Sequence, residues 1–246
     1  ATLLHDDVVD GSEERRGQKA ANLIFGNDTS VLVGDFLFSR AFQLMVKSGS
    51  LEVLGILSNA SAVIAEGEVL QLQTQGDLST NVQTYYRVIA AKTAELFAAA
   101  CEIGPVIAGK QDYAAAMRSY GYNLGMAFQI ADDVLDYQGS SKDLGKNTGD
   151  DFHDHKVTLP VILAFQEGNE AEKDFWRRCF EKENIHKGDL ERAYDLIQKY
   201  HACDKALQIA KKFSAEAKES LNVIMTDSKL FKTLENLPDY LVNRSS

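Results

Sequence analysis

Two short acidic patterns are the first residues in this chain whose types and spacing suit chemistry. Asp6-Asp7-Val8-Val9-Asp10 returns as Asp132-Asp133-Val134-Leu135-Asp136, so a DDxxD pattern occurs twice in 246 residues. On an α-helix the first and last Asp lie about 40° apart, and the middle one widens the arc to about 100°. All three carboxylates then share a face, with the first and last separated by about 6 Å along the axis, which suits oxygen ligands of a hard cation. The flanks are apolar: Leu3, Leu4, Val8 and Val9 surround one cluster, Phe128, Ile130, Ala131, Val134 and Leu135 the other. Like charges in such surroundings repel and resist desolvation, a cost that Mg²⁺ offsets. Mg²⁺ is held by one or two carboxylates together with waters and substrate phosphates, so the pattern asks for a diphosphate to complete the shell. One cluster alone reads as a solvated acidic face; two within long apolar helices do not. An EF-hand would need a longer loop with Gly and a final Glu, and a di-iron bundle would show Glu-x-x-His repeats.

Basic residues that would meet a diphosphate are present. Arg15-Arg16-Gly17 follows the first cluster, Lys92-Thr93 sits mid-helix, and Lys146 and Lys156 lie in and after a polar stretch. Arg forks match phosphate oxygens bidentately, whereas Lys acts as a point charge. Lys92 is the sharpest case, because an ammonium inside the apolar run from Val88 to Ala100 requires an anionic partner. Gln129, just before the second cluster, is placed to orient a ligand or to be a satisfied core amide.

The elements that must position these groups read as helices. Only three prolines occur, and no alternating strand pattern competes. The chain opens as if inside a helix. Helices are then expected over 31–46, 51–74, from Ser79-Thr80 to a stop at Gly104-Pro105, and from Asp112 to Tyr137. A polar stretch from Gln138 to His155 is long for a connection and reads as functional. Thr158 starts a further helix with Pro160 in its first turn, and the charged pieces from Glu167 onward read as a peripheral helical part of a single domain spanning 1–246. The fold class is all-α. With 26 basic against 36 acidic residues the formal charge is −10, which argues against nucleic acid as the main partner. The sparse Cys101, Cys179 and Cys203 read as reduced thiols of a cytoplasmic protein. No run of about 18 consecutive apolar residues predicts a membrane span.

Together these motifs resemble the trans-type (all-E) polyprenyl diphosphate synthases. The likeness is carried by Leu3-Leu4-His5-Asp6-Asp7-Val8-Val9-Asp10, Arg15-Arg16-Gly17, Gly34-Asp35-Phe36-Leu37 and Lys92-Thr93-Ala94. Phe128-Gln129-Ile130-Ala131-Asp132-Asp133 and Gly145-Lys146 through Lys156-Val157-Thr158-Leu159-Pro160 complete it. The resemblance implies an isoprenoid-synthase helical bundle around a deep cavity, with the two acidic motifs facing each other near its mouth. It implies a Mg²⁺-dependent prenyltransferase that joins an allylic diphosphate to isopentenyl diphosphate. By that likeness Asp6 and Asp10 hold Mg²⁺ with Asp7 supporting, and Asp132 binds a further Mg²⁺ with Asp133 and Asp136 nearby. Arg15, Lys92, Thr93, Gln129 and Lys146 match allylic-substrate contacts, and Arg16 an isopentenyl diphosphate contact. Lys156 is a weaker match, since His155 stands where many members have Gly. A homodimer is implied in the same way.

Family members also carry a Gly-Lys-x-x-Arg motif and a His before the first acidic motif, and nothing in Ala1–His5 supplies them. The intact protein is therefore expected to have further N-terminal helices. Small Ala1 and Thr2, about one turn before Asp6, would leave the product channel open where short-chain members place aromatics. The expected product is octaprenyl to decaprenyl diphosphate, a quinone side-chain precursor, with Phe36, Phe38 and Phe42 as a candidate lower floor. The rival readings are another class I terpenoid synthase and a non-catalytic, synthase-like partner subunit. Both acidic motifs being complete disfavours each.

Overall fold

A computed structural model describes every residue except Arg16, 139–148, Met225, Asp227 and 245–246. The chain divides into two compact units, Ala1–Ser58 and Asn59–Ser246.

The first unit opens with α1 (Thr2–Val9), followed by a hairpin of two-residue strands, β1 (Glu14–Arg15) and β2 (Gln18–Lys19). Their register pairs Glu14 with Lys19 and Arg15 with Gln18. This hairpin is too short to leave an alternating pattern, which is why the all-helical reading passes over it. Next come α2 (Ala21–Phe25), the long α3 (Asn27–Lys47) and the start of α4 (Leu51–Thr74). α1 rests on α3 at Gly34, where an added Cβ would lie 2.2 Å from His5 Nε2. His5 Nε2 is in turn 3.2 Å from the Val31 carbonyl oxygen. A side chain at position 34 would push the His5 ring from this place. α3 leaves Leu32 and Phe36 exposed, as does α4 Leu51.

The second unit takes in the rest of α4, then α5 (Val82–Ile89), a single π turn over Ala90–Ala94, and α6 (Glu95–Ile107). Asn81 caps α5 by accepting the Thr84 amide. Pro105 lies inside α6 and does not stop it; the helix ends two residues later at Ile107. The long α7 (Ala114–Asp136) is followed by α8 (Asp150–His153) and α9 (Leu159–Glu167), with Thr158 as N-cap and Pro160 in the first turn. The unit ends with α10 (Glu170–Phe180), α11 (Asp189–Lys199), α12 (Ala202–Ser220) and α13 (Lys229–Val242).

α7 is the central helix: Tyr120, Leu124, Met126, Ala127, Ile130 and Val134 along it are almost wholly buried. α12 lies against it through Ala202, Ala206, Ala210, Ser214 and Ala217, a stripe of small buried residues three or four apart that lets two backbones approach. Residues after 167 are therefore not peripheral, as their charge suggested. Most of their charges sit on outer faces, with Glu172 and Asp189 buried and paired to Lys199 and Arg178, while Trp176, Cys179 and Phe180 join the main core. α13 closes the end of α7 with Phe231, Leu234, Leu237 and Leu241 around Tyr120 and Leu124, and Tyr120 Oη donates to the Leu234 carbonyl at 2.8 Å.

Two helices, Asn27–Lys47 and Leu51–Thr74, are long and apolar enough by length and composition to cross a membrane. The criterion of an uninterrupted apolar run misses them because Asp35, Arg40, Glu66 and Glu68 interrupt the sequence. In α4 one of those charges, Glu68, is spent on a partner within the protein, as a packed helix would spend it.

α7 and α6 meet at Gly121, where a Cβ would fall 2.3 Å from the Phe97 carbonyl oxygen. Backbone cannot yield as a side-chain tip can, so Gly121→Ala is expected to destabilise the chain by about 1–3 kcal/mol. A lower urea midpoint at an unchanged slope would show this; an unchanged midpoint would contradict the contact.

Candidate active site

The two acidic clusters share one design. In each, the middle aspartate is buried and anchored, while its neighbours stand nearer the surface. In the first unit Asp7 is 1% exposed and Asp6 and Asp10 are half-buried. Arg15 from β1 donates to Asp7 Oδ1 through Nε at 2.8 Å and reaches the same oxygen with Nη2 at 2.6 Å. The Asp7 carbonyl accepts from Asn22 Nδ2. Arg15, expected on the diphosphate, is thus first the counter-ion of Asp7. Its guanidinium is held charged by that hydrogen bond, against the opposing effect of partial burial. Asp10 is the C-cap of α1, its amide donating to the Asp6 carbonyl.

In the second unit Asp133 is the buried member, at 5% exposure. Tyr85 Oη donates to Asp133 Oδ2 at 2.5 Å, and Gln129 Nε2 to Asp133 Oδ1 at 2.8 Å. Gln129 Oε1 accepts from Thr93 Oγ1 at 2.8 Å, so a relay runs from Thr93 through Gln129 to Asp133. The π turn over Ala90–Ala94 carries both Lys92 and Thr93. Such single turns are inserted where side chains must be aimed off the regular helical track. The anionic partner that Lys92 requires is Glu68, at 2.7 Å.

The other two aspartates of the second cluster have different employment. Asp136 accepts the backbone amides of Gly149 and Asp150 on Oδ1 and that of Asp151 on Oδ2, at 3.0–3.2 Å. It caps α8, so the expectation of a carboxylate standing ready for metal does not describe this arrangement. Asp132 is exposed, and its Oδ1 accepts from Arg244 Nη2 at 2.7 Å. Lys156 Nζ pairs with Asp154 at 2.9 Å. His155 before it adopts φ 54°, the left-handed conformation that glycine holds without strain. Arg16 and Lys146 lie outside the described residues.

Burial dominates the electrostatics. The Asp133 carboxyl is pushed up to about 7, chiefly by desolvation, with the Tyr85 and Gln129 hydrogen bonds pulling the other way. Asp136 is pushed up to about 6 for the same first reason, against its bonds to the α8 amides. Asp151, which sequence reasoning missed, is driven well above the carboxylate range by burial and then by the charges of Asp133 and Asp136. Tyr85, Glu68, Asp151 and Arg244 were all missed, because each is defined by a partner distant in sequence.

No group of three or more His, Cys, Asp or Glu converges on a metal position among the described residues. The donors nonetheless fit Mg²⁺, which takes only one or two carboxylates and completes its shell with water and phosphate. The guanidinium seated on Asp132 is a cationic stand-in at one such donor. A cavity of 730 Å³ in the second unit is lined by Glu66, Gly67, Arg87, Ala91, Glu95 and Tyr122 among others. Neither the relay nor any of the three aspartates of α7 lines it, so it is not the space toward which these groups are arranged.

Residues 1–197 match the Polyprenyl synthetase family. The chain is 49% identical over 185 residues to octaprenyl diphosphate synthase of Escherichia coli, an alignment covering 75% of this chain and 57% of that protein. It is 40% identical to all-trans-nonaprenyl-diphosphate synthase (geranyl-diphosphate specific) of Rhodobacter capsulatus, over 99% of this chain and 74% of that one. Among solved structures it superposes on a decaprenyl diphosphate synthase from Rhodobacter capsulatus with a TM-score of 0.94 at 50% identity, covering 100% of this chain and 75% of that one. A polyprenyl synthase from Caulobacter crescentus, complexed with calcium and isoprenyl diphosphate, matches with the same score, identity and coverage. The chain thus spans less than two thirds of the E. coli relative's length and about three quarters of the others'.

The raised Asp133 and Asp136 carboxyls make folding proton-coupled. Between the ordinary carboxylate pKa near 4 and the folded values of about 6 and about 7, the folded chain holds protons that the unfolded chain has released. Stability of the metal-free chain is therefore expected to fall as pH rises from about 5 to about 7. Asp133→Asn should flatten that decline in thermal unfolding with chelator present. An equally steep decline in the variant would show that Asp133 is not the group responsible.

Proposed function

Because this chain belongs to the polyprenyl synthetase family, we propose that it is a prenyltransferase extending an allylic diphosphate with isopentenyl diphosphate. The observation that carries the reading is the relay in the second unit, where Thr93, Gln129 and Asp133 are joined by hydrogen bonds beside the Lys92–Glu68 pair. Those are the positions at which the family's diphosphate contacts are expected. The Caulobacter relative, with a divalent cation and an isoprenyl diphosphate bound, supports the same ligand chemistry here.

The reaction breaks the bond between the allylic carbon and the diphosphate oxygen. The isopentenyl double bond then forms a new carbon–carbon bond to the allylic cation, and a proton is lost. Mg²⁺ held by Asp6 and Asp10, and a further Mg²⁺ held by Asp132 with Asp136 nearby, would supply Lewis-acid stabilisation of the departing diphosphate. Lys92 offers a point charge to the same leaving group, kept in place by Glu68 until substrate competes for it. Thr93 and Gln129 fix each other's orientation, and Gln129 fixes Asp133. Arg15, Arg16 and Lys146 add cationic contacts to the diphosphates, with Lys156 as a lesser one. Water must be kept from the cation, and the released diphosphate is the base that takes the proton.

The product is long, octaprenyl to decaprenyl diphosphate, destined for a quinone side chain. Small Ala1 and Thr2 in α1 support this, as do the octaprenyl, nonaprenyl and decaprenyl synthases among its relatives. A homodimer belongs to this reading, supported by the exposed apolar side chains Leu32 and Leu44 of α3. The unpaired Cys101, Cys179 and Cys203 favour a reducing, cytoplasmic setting.

The full-length protein, incubated with farnesyl diphosphate, labelled isopentenyl diphosphate and Mg²⁺, is expected to give products of about eight to ten isoprene units. Asp6→Ala and Asp132→Ala should each lower the rate by about 10²-fold or more, as loss of preorganised charge stabilisation does elsewhere. A folded, inactive wild type would overturn the assignment. Phe-to-Ala changes at Phe36, Phe38 or Phe42 should lengthen the product if these rings form a floor, and unchanged length would remove that idea.

A further inference from the structure

The last described residue of the chain reaches the first aspartate of the second cluster. α13 is docked on α7 by its leucines and by the bond from Tyr120 to Leu234, and past its end Arg244 lies along α7. The guanidinium carbon stands 4.4 Å from the Phe128 ring centroid, and Nη2 is 2.7 Å from Asp132 Oδ1, one turn further on. The Arg244 side chain is only 18% exposed while Asp132 is 56% exposed. Its Nε is shut off from solvent and donates to no partner among the described residues. This is a poor bargain for stability. A pair with one half-exposed member contributes little, and a buried donor without an acceptor works against it. Ordering the chain end adds a further cost. What the arrangement does accomplish is to place a positive charge on Asp132, one residue from the buried Asp133.

We propose that Arg244 is a positioning residue that serves as the resident counter-cation of Asp132 and competes with the divalent cation for it. The inference rests on the reading that Asp132 takes a divalent cation. Arg244 occupies Asp132 Oδ1 in the chain as described. A metal ion on Oδ1 displaces the guanidinium, so metal loading and attachment of the chain end are mutually opposed. By linkage the opposition acts both ways: whatever loosens Arg244 tightens the metal, and the metal loosens Arg244 to the same degree. A residue present only for packing would predict no change or a loss of metal affinity when removed.

Mn²⁺ serves as the probe, with binding followed by the spin-resonance signal of the free ion and by calorimetry, with no prenyl substrate present. Arg244→Met keeps an aliphatic stem over Phe128 but removes the charge. It is expected to tighten Mn²⁺ binding roughly threefold to tenfold, the range set by one half-exposed charge-assisted pair. Arg244→Lys keeps a charge without the fork and should fall between the two. In the unmutated chain, Mn²⁺ should speed hydrogen exchange at the amides from Val242 to Arg244. Unchanged or weaker Mn²⁺ binding in Arg244→Met, or unaltered exchange, would overturn the proposal. Asp132→Asn separates the two layers. If it leaves Mn²⁺ binding intact, the metal reading of Asp132 falls. If it weakens binding while Arg244→Met does not tighten it, only the role of Arg244 falls.

Discussion

Desolvating one carboxylate in the middle of an acidic cluster is the constraint around which each unit is organised. A buried charge is tolerated only when hydrogen-bonded or paired. Asp133 sits in the dry face of α7, and its two oxygens are met by Tyr85 of α5 and Gln129 of its own helix. Meeting that need determines much else. Tyr85 must be buried with its hydroxyl inward, Gln129 must turn its amide nitrogen to Asp133, and its oxygen is then left for Thr93. The π turn holding Thr93 is what brings that hydroxyl to Gln129. Asp7 solves the same problem with a charge, through Arg15 at the end of β1.

This division of labour explains why three adjacent carboxylates need not behave alike. On α7 the directions around the helix separate them: Asp133 faces inward, Asp132 faces out, and Asp136, one turn on, meets the start of α8. Cap residues at a helix start ordinarily lie within it or just before it in sequence. Here the acceptor comes from the end of another helix, with Gly149 in the left-handed conformation turning its amide toward Asp136. The like charges are thereby dispersed among a hydroxyl and an amide, three backbone N–H groups and a guanidinium. Their mutual repulsion is reduced before any metal is considered.

The helices were legible in the sequence because they depend on neighbours three or four residues away, whereas the single acidic face expected on α7 is divided, with Asp133 turned in and Asp132 turned out. α4 runs from Leu51 to Thr74 and α7 ends at Asp136, close to the positions that periodicity predicts. Long-range partners were not legible. Nothing local marks Glu68 as the mate of Lys92, or Arg244 as the mate of Asp132 across 112 positions. Pro105 shows a different failure: proline removes one backbone bond and crowds the preceding turn, yet α6 runs two residues past it. The final third was misjudged because its charge was averaged over whole segments. The small residues of α12, Ala202, Ala206, Ala210, Ser214 and Ala217, spaced three or four apart, already traced the buried stripe.

Where the small residues fall also bears on how firmly the site is held. Gly121 and the alanines of α12 place backbone close against both sides of α7, and short side chains lose little conformational freedom when buried. The helix that carries Gln129 and the second cluster is thus clamped between neighbours. By contrast, Lys92, partly buried, and Asp132, half-exposed, are held by exchangeable partners, Glu68 and Arg244. Rigid backbone with replaceable ion pairs is what the proposed grip and release of a diphosphate would need. The core fixes where the charges stand, and the pairs are weak enough for a ligand of higher charge to displace them.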